Sequence, residues 1–91
     1  MKFLEKEFIG KGDVKGFKFK QVQKSSAAYI YEINSGSRIY YEVFKRVVNG
    51  KYQKESYPKA KHFSIWAWTH ISYENAEKKF DQLNAVHDER K

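Results

Sequence analysis

The sequence predicts an α+β domain: an antiparallel meander sheet of five to six strands with one C-terminal helix packed on one face. Three observations carry this expectation. Residues 1–70 are rich in Phe, Tyr, Val and Ile, in short runs separated by Gly and Asn turn chemistry. The connections are only a few residues long, which favours antiparallel neighbours. The final segment alone has apolar residues at helical spacing.

The strands follow in order. KFLEKEFI (2–9), GFKFKQVQK (16–24) and AAYIYEIN (27–34) alternate or accumulate aromatic and β-branched side chains. So do RIYYEVFKRVV (38–48), KYQKES (51–56) and HFSIWAWT (62–69). GKGD (10–13) and NSGS (34–37) are turns. Asn49-Gly50 predicts a two-residue type I′ hairpin. Pro58 ends the returning strand because it cannot donate to a ladder. The helix starts at Ser72, a natural N-cap. Tyr73, Ala76, Phe80 and Leu83 make one apolar stripe, and Glu74 and Lys78 form an i,i+4 pair. Ile71 and Ala76 have the spacing of a hydrophobic staple. The expectation is a single domain, residues 1–91, with the sheet over 2–69, the helix over 72–86 and a short polar tail over 87–91.

Seven Phe, seven Tyr and two Trp supply a core that a chain of 91 residues could otherwise hardly build. With no cysteine, disulfides, thiolate metal sites and Cys catalysis are excluded, and the cytoplasm is the expected compartment. Glu5 and Lys6 interrupt the start before any signal-like apolar run forms. No stretch approaches the ~20 apolar residues of a membrane span, so no membrane association is expected.

The net charge is +7. Residues 1–26 carry +4, 27–50 carry +1, 51–71 carry +3 and 72–91 carry −1, so the excess lies before the helix. Such a balance serves solubility or an anionic partner, nucleic acid being the commonest.

Alternation then assigns faces. Phe63, Ile65 and Ala67 share a parity with Ile71, and that parity is expected to face the helix. Trp66, Trp68 and His70 would point away, together with Arg38, Tyr40, Glu42, Phe44 and Arg46 of the fourth strand, while Ile39, Tyr41 and Val43 look like core. The open face would combine Tyr40, Phe44, Trp66 and Trp68 with Arg38 and Arg46. Rings interleaved with cations suit nucleic acid, since bases stack on rings while Lys and Arg follow phosphates. Lys18 and Lys20, alternating with Phe17 and Phe19, would either protect an edge strand or add a phosphate-contacting stripe. A bulge near Trp68 would invert the parity and make the tryptophans core.

The function expected is a small, basic, non-enzymatic nucleic-acid-binding module using a cationic, aromatic sheet face. Charge reversal at Arg46 and alanine at Trp68 should weaken it. The alternative is a protein-interaction or homodimerisation module using the same open face. No cofactor is expected. His62 and His70 lie eight positions apart in one strand, roughly 25 Å if extended, so they cannot share a metal, and no carboxylate cluster completes a site with them or with His87. GKGDVKG (10–16) lacks the ending of a phosphate loop and precedes a strand.

IWAWTHISYENAEKKFDQL (65–83) resembles the end of AP2-type and integrase arm-binding domains, in which a Trp-bearing strand turns into a helix with spaced Ala and aromatic residues. Trp66, Thr69, Ala76 and Phe80 would take comparable places. The resemblance covers about 20 residues; the Gly usual after the strand Trp and an Arg-rich first strand are missing. It implies a three-stranded sheet on one C-terminal helix and DNA binding. The order of strands followed by one helix is also similar to that of PC4-like single-strand-binding coactivators. WGR domains share the strand-to-helix ending, without their Trp-Gly-Arg motif here.

Overall fold

The computed structural model describes residues 2–89, of which 86–89 by backbone alone. Five strands form one antiparallel sheet: β1 (Glu7–Ile9), β2 (Lys18–Lys24), β3 (Ala28–Asn34), β4 (Ile39–Lys45) and, at the far edge, β7 (Ala67–His70), in the order β1-β2-β3-β4-β7. Between β4 and β7 the chain makes a separate two-stranded hairpin, β5 (Val48–Asn49) and β6 (Lys54–Glu55). The α+β meander with a C-terminal helix is therefore present, but the 51–56 segment leaves the main sheet.

Helix α1 spans Tyr73–Glu89, three residues past the expected end. Ser72 caps it: its Oγ accepts from the Asn75 N–H at 3.2 Å, and its carbonyl accepts from the Ala76 N–H at 3.1 Å. Glu74 and Lys78 sit 3.7 Å apart, both largely exposed. The stripe packs as its spacing demands. Ala76, Phe80 and Leu83 close on Ala28, Ile30 and Val43, with Val22, Tyr41, Trp68 and Tyr73 around them. A bulge between Gln21 and Gln23 lets Val22 join this side.

The second face is not open. Phe19, Tyr29, Tyr31, Ile33, Phe44 and Ala67 form a buried cluster there. The segment 56–66 folds back over it and supplies Tyr57, Phe63 and Trp66; Leu4 and Phe8 complete the cover. Tyr57 is the central plug, its ring edge-on to Phe8, Phe19, Tyr31 and Phe44 at centroid distances of 5.6, 5.6, 5.2 and 4.8 Å. The sheet is thus covered by a helix on one side and by irregular chain on the other.

Two expectations of register are corrected. Asn49-Gly50 does not form a two-residue turn: Asn49 pairs with Lys54 across a four-residue loop. The Asn49 side chain accepts from the N–H groups of Lys51 and Tyr52, and Gln53 takes the positive φ of 51°. The tryptophans do not share a face. Val43 pairs with Trp68, which places Trp68 and His70 toward the helix and Ala67 toward the second face. Trp66 precedes the strand, in a tight reversal where Ser64 has φ 74° and its N–H reaches the Ala67 carbonyl at 2.7 Å. Trp66 then lies on the second face beside Phe44. The inversion has a simple cause: the strand ends at His70 and the chain bends, so the parity of Ile71 does not extend back along it. Ile71 is 81% exposed and makes no staple.

Candidate nucleic-acid interface

The six residues expected on one open face, and Lys18 and Lys20 beside them, do not form a single exposed surface. Phe44 is fully buried, and Trp66 and Tyr40 pack against the same core. Trp68 lies on the opposite side under helix α1, with the Lys79 ammonium 3.9 Å from its ring centroid. Arg38 is exposed in the β3–β4 turn. Lys18 and Lys20 are exposed; in cross-strand register Lys20 stands between Glu7 and Glu32, and Lys18 between Ile9 and Asn34. They belong to β2, an interior strand, so edge protection does not describe them.

Arg46 has a structural partner. Its Nε donates to Glu55, whose carboxylate is buried and also accepts from the Tyr29 hydroxyl and, at 2.9 Å, from the Leu4 N–H. Burial alone would raise the Glu55 carboxyl. The three hydrogen bonds and the guanidinium charge outweigh it and hold the carboxyl below its ordinary range. Tyr29 moves the other way, its hydroxyl pushed up by burial and by the Glu55 carboxylate.

This network fastens the β5–β6 hairpin to the N-terminal segment. The Lys2 N–H donates to the Gln53 carbonyl at 2.7 Å, and the Glu55 N–H to the Lys2 carbonyl at 2.9 Å. Lys2 and Lys54 are bridged side by side. Phe3, half exposed, lies with the Lys24 ammonium 4.3 Å above its ring and the Arg46 guanidinium 5.9 Å away. In the hairpin loop Lys51 stands 5.4 Å from the exposed ring of Tyr52. The N-terminal segment and the hairpin it pairs with therefore carry Lys2, Lys51 and Lys54, with Lys24 on Phe3, and two accessible rings, Phe3 and Tyr52. Glu55 beside them is buried and paired with Arg46.

Sequence reasoning missed this surface because its parts come from three separated segments, 2–3, 24 and 46–54. Only the excess of lysine before residue 72 hinted at it.

A second carboxylate behaves differently from Glu55. Glu42 points from β4 toward the second face and accepts from the Tyr57 hydroxyl. Burial pushes its carboxyl up, and the Tyr57 bond opposes this only in part. A raised folded-state value means that stability is lost as pH rises from the unfolded value through the folded one. Glu42→Gln keeps an acceptor for Tyr57 and removes the charge. At pH 7 the variant should be more stable by about 1 kcal/mol, roughly 4–8 °C in melting temperature for a domain of this size. The difference should vanish in acid, below about pH 4. Thermal melts at the two pH values check this.

On the other side, His70 Nε2 is buried with no partner among the described residues. Burial, then the charge of Lys79, lower its imidazole value. No group of three or more His, Asp or Glu among the described residues could hold a metal ion. No described helix is long and apolar enough to cross a membrane.

Comparison with protein-family models, curated proteins and solved structures finds no match to this chain. Strand β7 does lead through Ile71-Ser72 into helix α1, but the sheet has five strands rather than the three that the AP2-type resemblance implies.

Proposed function

We propose that the protein binds single-stranded nucleic acid at the surface built by Phe3, Lys24 and the β5–β6 hairpin. The observation that supports this reading is the pairing of accessible rings with cations outside any ion pair among the described residues: Phe3 beneath Lys24 and Tyr52 beside Lys51, on segments that Lys2 and Lys54 bridge. Bases stack on such rings for about 1–3 kcal/mol each, and lysines follow the phosphates. The rings emerge from an extended segment and a hairpin loop, and no helix is presented there to fill a duplex groove. The homodimer expected through the open aromatic face has less support, because that face is covered.

Fluorescence anisotropy with labelled single-stranded oligonucleotides tests the proposal. Binding should weaken with salt, log K falling by about 3 per decade if four lysines each neutralise a phosphate. Lys24→Glu with Lys54→Glu should weaken it by about tenfold or more, whereas Lys18→Glu with Lys20→Glu should leave it nearly unchanged. No binding at low salt, or an equal loss from both pairs, would sink the reading.

A further inference from the structure

The most distinctive concavity lies away from the basic end and has the opposite charge. It is an open cleft of about 980 Å³ on the second face. This is at the upper end of the volumes that small-molecule sites occupy. The β1–β2 loop makes one wall. That loop is tightly closed: the Gly10 N–H donates to the Phe17 carbonyl at 2.8 Å, and the Gly16 N–H to the Gly10 carbonyl at 3.1 Å. A β-carbon at Gly10 would lie 2.4 Å from the Val14 carbonyl oxygen and 2.9 Å from the Phe19 ring, so the wall has no slack. Pro58 and Phe63 make the facing wall, and Phe8 and Phe19 are stacked at 4.6 Å between the two.

Three carboxylates line this apolar cleft, those of Glu5, Asp13 and Glu42, against one ammonium, Lys11. In a chain of net charge +7 that local balance runs against the whole. Glu42 is the innermost of the three. Tyr57 donates to one of its oxygens; the other has no donor among the described residues. An amide there would keep the Tyr57 bond and avoid the cost of desolvating a charge. A charge held at a cost to stability, beside unfilled apolar space, is characteristic of binding sites.

We infer that the cleft binds a small organic cation, a protonated amine on an apolar body, with the ammonium on the free oxygen of Glu42 and the body against Phe8, Phe19 and Phe63. The site is separate from the basic surface and does not depend on it. Glu5 and Asp13 at the rim attract the cation, and the aromatic walls accept its apolar part.

The test is a titration of the whole isotope-labelled chain with phenethylamine, followed by backbone amide shifts, with phenethyl alcohol and phenylacetate as neutral and anionic counterparts. The amine should shift Phe8, Val14, Phe63 and Thr69 and bind at least about tenfold more tightly than the alcohol, and the acid should not bind. Glu42→Gln should erase the preference for the amine, while the Lys24→Glu, Lys54→Glu pair should preserve it. The inference is overturned if amine and alcohol bind alike, if the preference survives in Glu42→Gln, if the shifts map elsewhere, or if millimolar amine produces none. The comparison of the three probes on the unaltered chain needs no variant to fold.

Discussion

Glu55→Ala should lose about 3–5 kcal/mol of unfolding free energy at pH 7, read from urea denaturation. The carboxylate is buried and serves three donors at once: the Arg46 guanidinium, the Tyr29 hydroxyl and the Leu4 N–H. Alanine removes the acceptor from all three and leaves a half-buried cation without its counter-charge. The pH dependence separates this effect from a packing defect. The Glu55 carboxyl is held below its ordinary value, so its stabilisation is fully present above the unfolded value of about 4.3 and is lost as pH falls through the folded value. The gap between wild type and Glu55→Ala should therefore narrow in acid. Glu42 works in the opposite sense, so Glu42→Gln should gain stability at neutral pH in the same assay. A Glu55→Ala loss below about 1 kcal/mol would show that the hairpin is anchored by other contacts.

The same network changes how a binding experiment must be designed. Charge reversal at Arg46, the natural choice from the sequence, would place a second carboxylate against Glu55 and disrupt the fold at that end. Lys24 and Lys54 are better probes. Both are exposed and neither is in an ion pair among the described residues, so a loss of binding there, with the fold intact, reports on the surface itself.

The parts of the fold legible in the sequence are those written in a local period. The stripe Tyr73, Ala76, Phe80, Leu83 announces its helix and packs where expected. Alternation in β4 correctly sends Val43 toward the helix and Phe44 away from it. What has no period could not be read. Residues 56–66 cover the second face through irregular chain, a one-turn 3₁₀ segment at Ala60–His62, and a serine, not a glycine, at positive φ. Nothing in their spacing announces that they return over the sheet. Of the two tryptophans Trp66 lies away from the helix as expected and Trp68 does not: alternation assumes a continuous strand, and Trp66 lies before its start. The basic surface is invisible in the sequence because the segments that carry it are joined by the Glu55 network, and Glu55 lies 51 and 26 positions from its partners Leu4 and Tyr29. Glu42 is the nearest to a readable signal, the one carboxylate on a parity that otherwise carries Arg38, Tyr40, Phe44 and Arg46.

Phe44→Ala should cost about 3–5 kcal/mol, as large-to-small changes at fully buried aromatics do. Phe44 is entirely inaccessible and contacts Tyr29, Tyr31, Tyr57 and Trp66, with centroids 5.6, 5.8, 4.8 and 6.4 Å away. Those rings are held by hydrogen bonds of their own, Tyr29 to Glu55, Tyr57 to Glu42 and Tyr31 to the Glu5 carbonyl, so they cannot collapse freely into the gap. A cavity remains, and its cost adds to the lost transfer free energy. Domains of this size have about 5–15 kcal/mol in total, so the variant should be close to unfolding. The contrast with Phe3→Ala is decisive for function. Phe3 is half exposed and, among the described residues, its ring contacts are those with Lys24 and Arg46, so its truncation should leave the melting temperature within a few degrees of wild type. If nucleic acid binds at the basic surface, Phe3→Ala should weaken it by about 5- to 150-fold, the range of one stacked base at about 1–3 kcal/mol. Phe44→Ala should weaken it only to the extent that the protein unfolds. A folded Phe44→Ala that has lost binding, beside a fully active Phe3→Ala, would return the interface to the sheet face and require the 56–66 segment to lift from it.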